Sequence, residues 1–154
     1  MFEATRIADQ LRRAFHGDAW HGDSVFEILG GVTATQAAKR PIPGAHSIWE
    51  LVLHIAAWDG AVLRRIGGVE VKLSDAENFP PVTDTSEAAW RQALAEMRRV
   101  HEELITDVAA LPDYRLEQPV PGKEGAHYTF YYMLHGVVQH ELYHAGQIAL
   151  LKKM

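Results

Sequence analysis

Four long stretches of this chain repeat apolar residues at intervals of three and four, and no convincing period-two strand accompanies them. That pattern restricts the fold to packed helices. The first stretch runs from about Phe2 to Phe15, with Ile7, Leu11, Ala14 and Phe15 on one face. A Gly-rich segment follows, with short apolar turns around Val25 to Leu29 and Thr35 to Lys39. The second stretch opens at Ser47-Ile-Trp-Glu50, a capping box in which the Ser hydroxyl accepts from the Glu50 amide while Glu50 reaches back. It should run to Ile66, where Gly67-Gly68 ends it. A third helix starts near Asp84, with Glu87 three residues on, and passes through Trp90, Leu94, Met97, His101 and Leu104 to a stop at Pro112. Thr129 opens the fourth, which reaches nearly to the C-terminus. The expected fold is all-α, a four-helix bundle in which a long connection, Gly67 to Thr83, joins the second and third helices and crosses the bundle or borders a site.

A chain of 154 residues with 47% hydrophobic content suits one domain, residues 1–154, with a single core. The net charge of -5 comes with no cluster of Lys or Arg, so nucleic acid is excluded as an expected partner. No apolar run approaches membrane-spanning length, and the opening MFEATRIADQLRRAF carries charges through its apolar positions, so neither an anchor nor a signal peptide is expected. Cysteine is absent. Thiolate ligands, disulfides and cysteine nucleophiles are therefore excluded, and a cytoplasmic location suits the chemistry that remains.

Nine histidines are present, and the question is which of them converge. At about 100° per residue, His140 and His144 lie about 40° apart on the fourth helix, in the stripe that holds Met133, Val137, Ile148 and Leu151. A pair one turn apart brings two ring nitrogens within reach of one ion, whereas two buried imidazoles without partners would leave polar atoms unsatisfied. His54 shares its face with Leu51, Ile55, Trp58 and Val62, and it is the natural third ligand. His16, His21, His46, His127 and His135 fall at segment ends, in loops or off the inward stripe, and His101 has no second ligand beside it along its helix.

The string His140-Glu-Leu-Tyr-His144 also spells H-E-x-x-H, the zinc-protease signature in which Glu141 would be the general base. Such proteases take a third ligand downstream, and no His, Asp or Glu follows His144 here. Glu50, one turn before His54, and Gln147, about two turns beyond His140, are candidates to orient a ligand or a bound water. Tyr143 sits at the edge of that face. Trp20, Trp49, Trp58 and Phe79 either line an apolar pocket or fill the core.

The strings HSIWELVLHIAAWD, residues 46–59, and LHGVVQHELYHAGQIALLKK, residues 134–153, resemble the two signature helices of the DinB-like, damage-inducible family of metal-binding helical bundles, also called YfiT-like. The resemblance extends over essentially the whole chain, including NFPPV after the long connection. It implies one zinc or nickel ion bound by one His of the second helix and two of the fourth, which correspond here to His54, His140 and His144. It also implies that an acid after the first His of the last helix is tolerated rather than obligatory. Relatives in that family include thiol S-transferases and thiol-dependent isomerases.

The leading expectation is therefore a metal-dependent enzyme on a small substrate, with an open coordination position and a low-molecular-weight thiol as cosubstrate. A metal-dependent hydrolase using Glu141, or a non-catalytic metal-binding stress protein, is the alternative. The fourth helix carries a second apolar face, Leu134, Val138, Leu142, Ala145 and Ala149, from which a homodimer is expected.

Overall fold

Six of the seven α-helices begin at a Ser or Thr whose hydroxyl accepts a backbone N–H of the first turn. Each such cap satisfies a donor that the helix itself cannot. The computed structural model describes residues 2–154 as α1 (Glu3–His16), α2 (Val25–Leu29), α3 (Ala34–Ala38), α4 (Ile48–Ile66), α5 (Asp75–Asn78), α6 (Glu87–Ala110) and α7 (Phe130–Leu151). A single 3₁₀ turn, Asp113–Arg115, follows α6. The exception in capping is α1, preceded by Phe2. There the Asp113 carboxylate, far along the chain, accepts from the Glu3 and Ala4 amides at 2.9 and 3.0 Å. These backbone donors hold its pKa below the usual carboxylate range.

The four long helices contact one another in pairs, α1 with α6 and α7, and α4 with α6 and α7. No strand forms among the described residues, and none of their helices is long and apolar enough to cross a membrane. Helix α6 starts at Glu87 with Ser86 as its cap, two residues after the expected start, because Asp84 accepts from the Ser86 amide and shapes the turn before it. Glu87 instead reaches across to accept from the amide of Ala34 at the start of α3. Residues 25–29 and 34–38, expected as turns, are short capped helices. Between α4 and α6 the chain also forms α5, a single capped turn.

The apolar core falls into two clusters. One gathers Phe15, Trp49, Ile55, Met97 and Ile148, and the other Ile7, Leu11, Val62, Leu104 and Leu134. The face of α7 expected to seek a second copy is covered from within: Leu134 and Ala145 are buried, and Val138, Leu142 and Ala149 are half-buried. Helix α7 packs against α1, α2 and α4, so cover for its apolar positions comes from within the chain.

Candidate metal centre

The capping box at Ser47 sets where α4 begins, and so which of its residues face inward. Glu50 accepts from the Ser47 amide at 2.7 Å, and His54 then falls one turn further on, 5% exposed. Its Nε2 lies 3.0 Å from Nε2 of His140, which lies 3.0 Å from Nε2 of His144. The three rings expected to converge therefore do so, edge to face, with their Nε2 atoms pointed at one place.

Protons on the far sides of these rings follow from what they meet. A carbonyl oxygen only accepts, so His54 Nδ1–H donates to the Asn78 carbonyl at 2.7 Å. Likewise His144 Nδ1–H donates to Gln147 Oε1 at 2.6 Å. A neutral ring protonated at Nδ1 presents a lone pair at Nε2. Two of the three inward nitrogens are thus fixed as acceptors, and His140 can offer a proton to only one of them. Such an excess of lone pairs suits a cation, and the outer donors are of the kind that orient metal-bound imidazoles. Burial pushes His140 down to about 3, helped by its two neighbours. Burial likewise lowers His54 and His144. All three are neutral near pH 7, as ligation requires.

Phe79 stacks on the His54 ring at 4.1 Å, with His46 on the opposite side of Phe79 at 3.7 Å. Asn78 uses its side chain as well, accepting from Trp58 Nε1–H at 2.8 Å. The turn of α5 therefore ties down both His54 and Trp58, a role invisible in the sequence because a backbone carbonyl carries no residue signature.

The triad opens onto a cleft of about 740 Å³. Its walls are mostly apolar, with Trp58, Val62, Met133, Val137, Tyr132 and Tyr143 among them. Of the other aromatics considered, Trp49 packs against Trp90 in the core and Trp20 is fully exposed. Arg65 also lines the cleft, although it is only 1% exposed.

Among the orienting candidates, Gln147 alone reaches a ligand. Glu50 is engaged by the Ser47 amide and by Arg40. Burial raises its pKa, but those partners outweigh it and the net shift is downward. Glu141 departs most from expectation. About 100° from His140 around the helix, it would be expected at the edge of the inward face, yet it is fully buried and its carboxylate meets His101 Nδ1 at 2.8 Å instead of lining the cleft. A general-base role for Glu141 has no geometric basis.

His101 is correspondingly not isolated. Asp59 Oδ2 lies 2.9 Å from the same Nδ1, and Nε2–H donates to the Leu11 carbonyl at 3.2 Å. Phe15 stacks on the ring at 3.9 Å. Asp59, His101 and Glu141 are all 0% exposed and close enough to count as a second candidate ligand group. Burial opposes a charge on His101, yet the two carboxylates outweigh it and raise the ring to about 10. The same burial pushes both carboxyls up. With the Leu11 carbonyl on Nε2 and both acids on Nδ1, the ring is an imidazolium whose Nδ1–H faces the two carboxyl groups. Each member sits where its helix passes from one apolar cluster to the other: Asp59 between Ile55 and Val62, His101 between Met97 and Leu104, Glu141 between Val137 and Ala145.

An all-helical fold with a buried three-histidine group that can hold a divalent ion defines the class, and comparison of sequences supplies the family. The family model of the DinB superfamily matches residues 19–148, and the chain belongs to that superfamily. It is similar to the uncharacterized protein YizA of Bacillus subtilis strain 168, with 25% identity over 131 residues, covering 83% of this chain and 77% of the relative. No solved structure gives a significant match.

Proposed function

We propose that this protein is a metal-dependent enzyme acting on a small substrate, with His54, His140 and His144 holding one zinc or nickel ion. The single observation that carries this reading is the convergence of three Nε2 atoms, two of them fixed as lone-pair donors, in the wall of a large cleft. Three protein ligands suit a catalytic rather than a structural site. Among the described residues, no fourth His, Asp or Glu joins the group, which speaks against an ion that only ties helices together.

The four long helices are read here as the family's four-helix bundle, with the chain between α4 and α6 as its long connection. When bound, a divalent ion at such a site lowers the pKa of water or a thiol and makes a nucleophile available near neutral pH. This chain's own residues do the rest. Asn78 and Gln147 orient the rings, Phe79 fixes the plane of His54, and the apolar walls seat the substrate and limit competing water. Transfer or isomerisation chemistry with a low-molecular-weight thiol fits this cleft better than hydrolysis, because no carboxylate lines it to act as base.

Metal content after reloading, measured together with turnover in a screen of thiols against electrophiles, tests the proposal. About one ion per chain is expected, lost in the His54→Ala, His140→Ala, His144→Ala variant. Unchanged stoichiometry in that variant would refute the ligand set. Full turnover by the metal-free protein would refute the role of the ion.

A further inference from the structure

Arg65 sits at the far end of the same cleft, three turns along α4 from His54 and on nearly the same face. A buried guanidinium ordinarily has a carboxylate partner, since an unpaired buried charge is strongly unfavourable. Arg65 has none: no ion pair found among the described residues includes it. Of its five N–H donors, one Nη2–H reaches the Val71 carbonyl at 2.9 Å. Nη1 faces only the Met133 thioether at 4.0 Å, a weak acceptor, and the buried Nε has no partner. The negative end of the α4 dipole offsets part of this charge, though only about half a unit.

The surroundings add positive charge. Lys123 is held below the usual lysine range by burial and then by the nearby charges of Arg65 and Lys72. Lys123 also lies over the ring of Tyr128, which lines the cleft. Glu70 packs beside Gly122, next to Lys123, so the charge that faces the cleft is that of Arg65, the one Arg, Lys, Asp or Glu among the described residues of its lining, a fork of N–H donors that the chain leaves largely unused.

We propose that Arg65 is the anchor for a carboxylate on the substrate or cosubstrate. The inference rests on the metal-site reading for the other end of the ligand. Position sets the ligand's length. Arg65 Cζ is 5.5 Å from the Trp58 ring, and that ring is 6.0 Å from the His140 ring, so the guanidinium lies within about 12 Å of the triad. A planar carboxylate matches a guanidinium fork in two parallel hydrogen bonds. The ligand class is thus an extended molecule with a carboxylate at one end, a reactive thiol or electrophile at the other, and an apolar middle that lies along Trp58.

The test compares mercaptohexanoate with mercaptohexanol, identical except for the terminal group, by calorimetric titration of the zinc-loaded protein. The carboxylate should bind at least about tenfold more tightly, and Arg65→Gln should abolish that difference while leaving mercaptohexanol affinity unchanged. Arg65→Lys, which keeps the charge but not the fork, should retain only part of it. Equal affinities in the wild-type protein, a comparison that needs no variant to fold, would overturn the proposal. A preference that persists in Arg65→Gln would overturn it too, by placing the carboxylate elsewhere. Hexanoate and hexanol, titrated into metal-free protein, separate this proposal from the reading on which it rests. If neither thiol engages the zinc-loaded protein, the metal reading fails, yet an Arg65-dependent preference for hexanoate still supports the anion site and its absence overturns it.

Discussion

Replacing His101 with Leu removes the one cation between two fully buried carboxyl groups and keeps a side chain of comparable size. The result should be a loss of stability that depends on pH. A carboxylate stranded in the core escapes its charge by taking a proton, and the penalty for doing so is about 1.4 kcal/mol for each unit by which the solution pH exceeds its ordinary pKa. With ordinary values of 3.8 for Asp59 and 4.5 for Glu141, the penalty is about 3 to 4 kcal/mol at pH 7 and about 1 to 2 at pH 5, whichever carboxyl is protonated. The Leu11 carbonyl loses only its second donor, because it also accepts from the Phe15 amide within α1, and so adds little. In the wild-type protein the raised His101 adds stability that is fully present below its ordinary 6.5 and is lost as pH rises through about 10. In the variant that contribution is gone. Glu141, already raised to about 7 in the wild-type fold, lowers the stability of both proteins as pH climbs, so the difference comes from the further carboxyl proton that only the variant must take up. Urea denaturation of both proteins at pH 5 and pH 7 measures the difference. The gap should widen by about 2 kcal/mol between the two pH values, because the wild type's own loss as pH passes the ordinary 6.5 of His101 offsets part of the carboxyl penalty. An equal gap at both would mean that His101 contributes packing alone, and the imidazolium account would be wrong.

Four further outcomes follow from the geometry. Gln147→Leu removes the acceptor that orients His144, and chelator competition should show metal affinity reduced by about 10- to 100-fold with helix content unchanged. Glu141→Gln should keep its metal and most of its turnover, since the carboxylate faces His101; a variant that held metal but lost nearly all activity would restore the general-base reading. Asp113→Ala leaves the first amides of α1 without an acceptor and should lower the midpoint of thermal unfolding, with no effect on metal binding. Sedimentation equilibrium at micromolar concentration tests the homodimer: a dimer broken by Leu142→Glu would place the two-fold interface on α7, and a strict monomer would rule it out.

The convergence of the three histidines is legible because its spacing is local. His140 and His144 are one turn apart, and the box at Ser47 sets the phase of α4 well enough to turn His54 inward. What sequence left hidden depends on partners far along the chain. His101 stands alone on α6, and its acids come from α4 and α7. Angles taken from a single inward stripe put Glu141 at its edge, whereas α7 is covered on more than one side and its flank is interior too. Asn78 acts chiefly through a main-chain oxygen. The unpaired state of Arg65 is a property of its surroundings, and no pattern of residue types announces it. The short helices α2, α3 and α5 were read as turns or connection because so few residues cannot establish a period, although Ser24–Glu27 and Ser74–Glu77 form the same capping box as Ser47–Glu50.

The polar layer where the two apolar clusters meet acts as a lock on helix register. Apolar surfaces tolerate sliding, because one leucine replaces another with little change in energy, whereas a buried ion group has only one alignment that satisfies it. Moving α7 by one turn would carry Glu141 about 5.4 Å from His101 and strand charge in the core. His140 is the neighbouring residue on the same helix, so any slip that would separate the three converging Nε2 atoms is opposed by the ion group beside it. The alignment of the three histidines is thus set by the folding of the core, so the site proposed for the ion is in place before any ion binds.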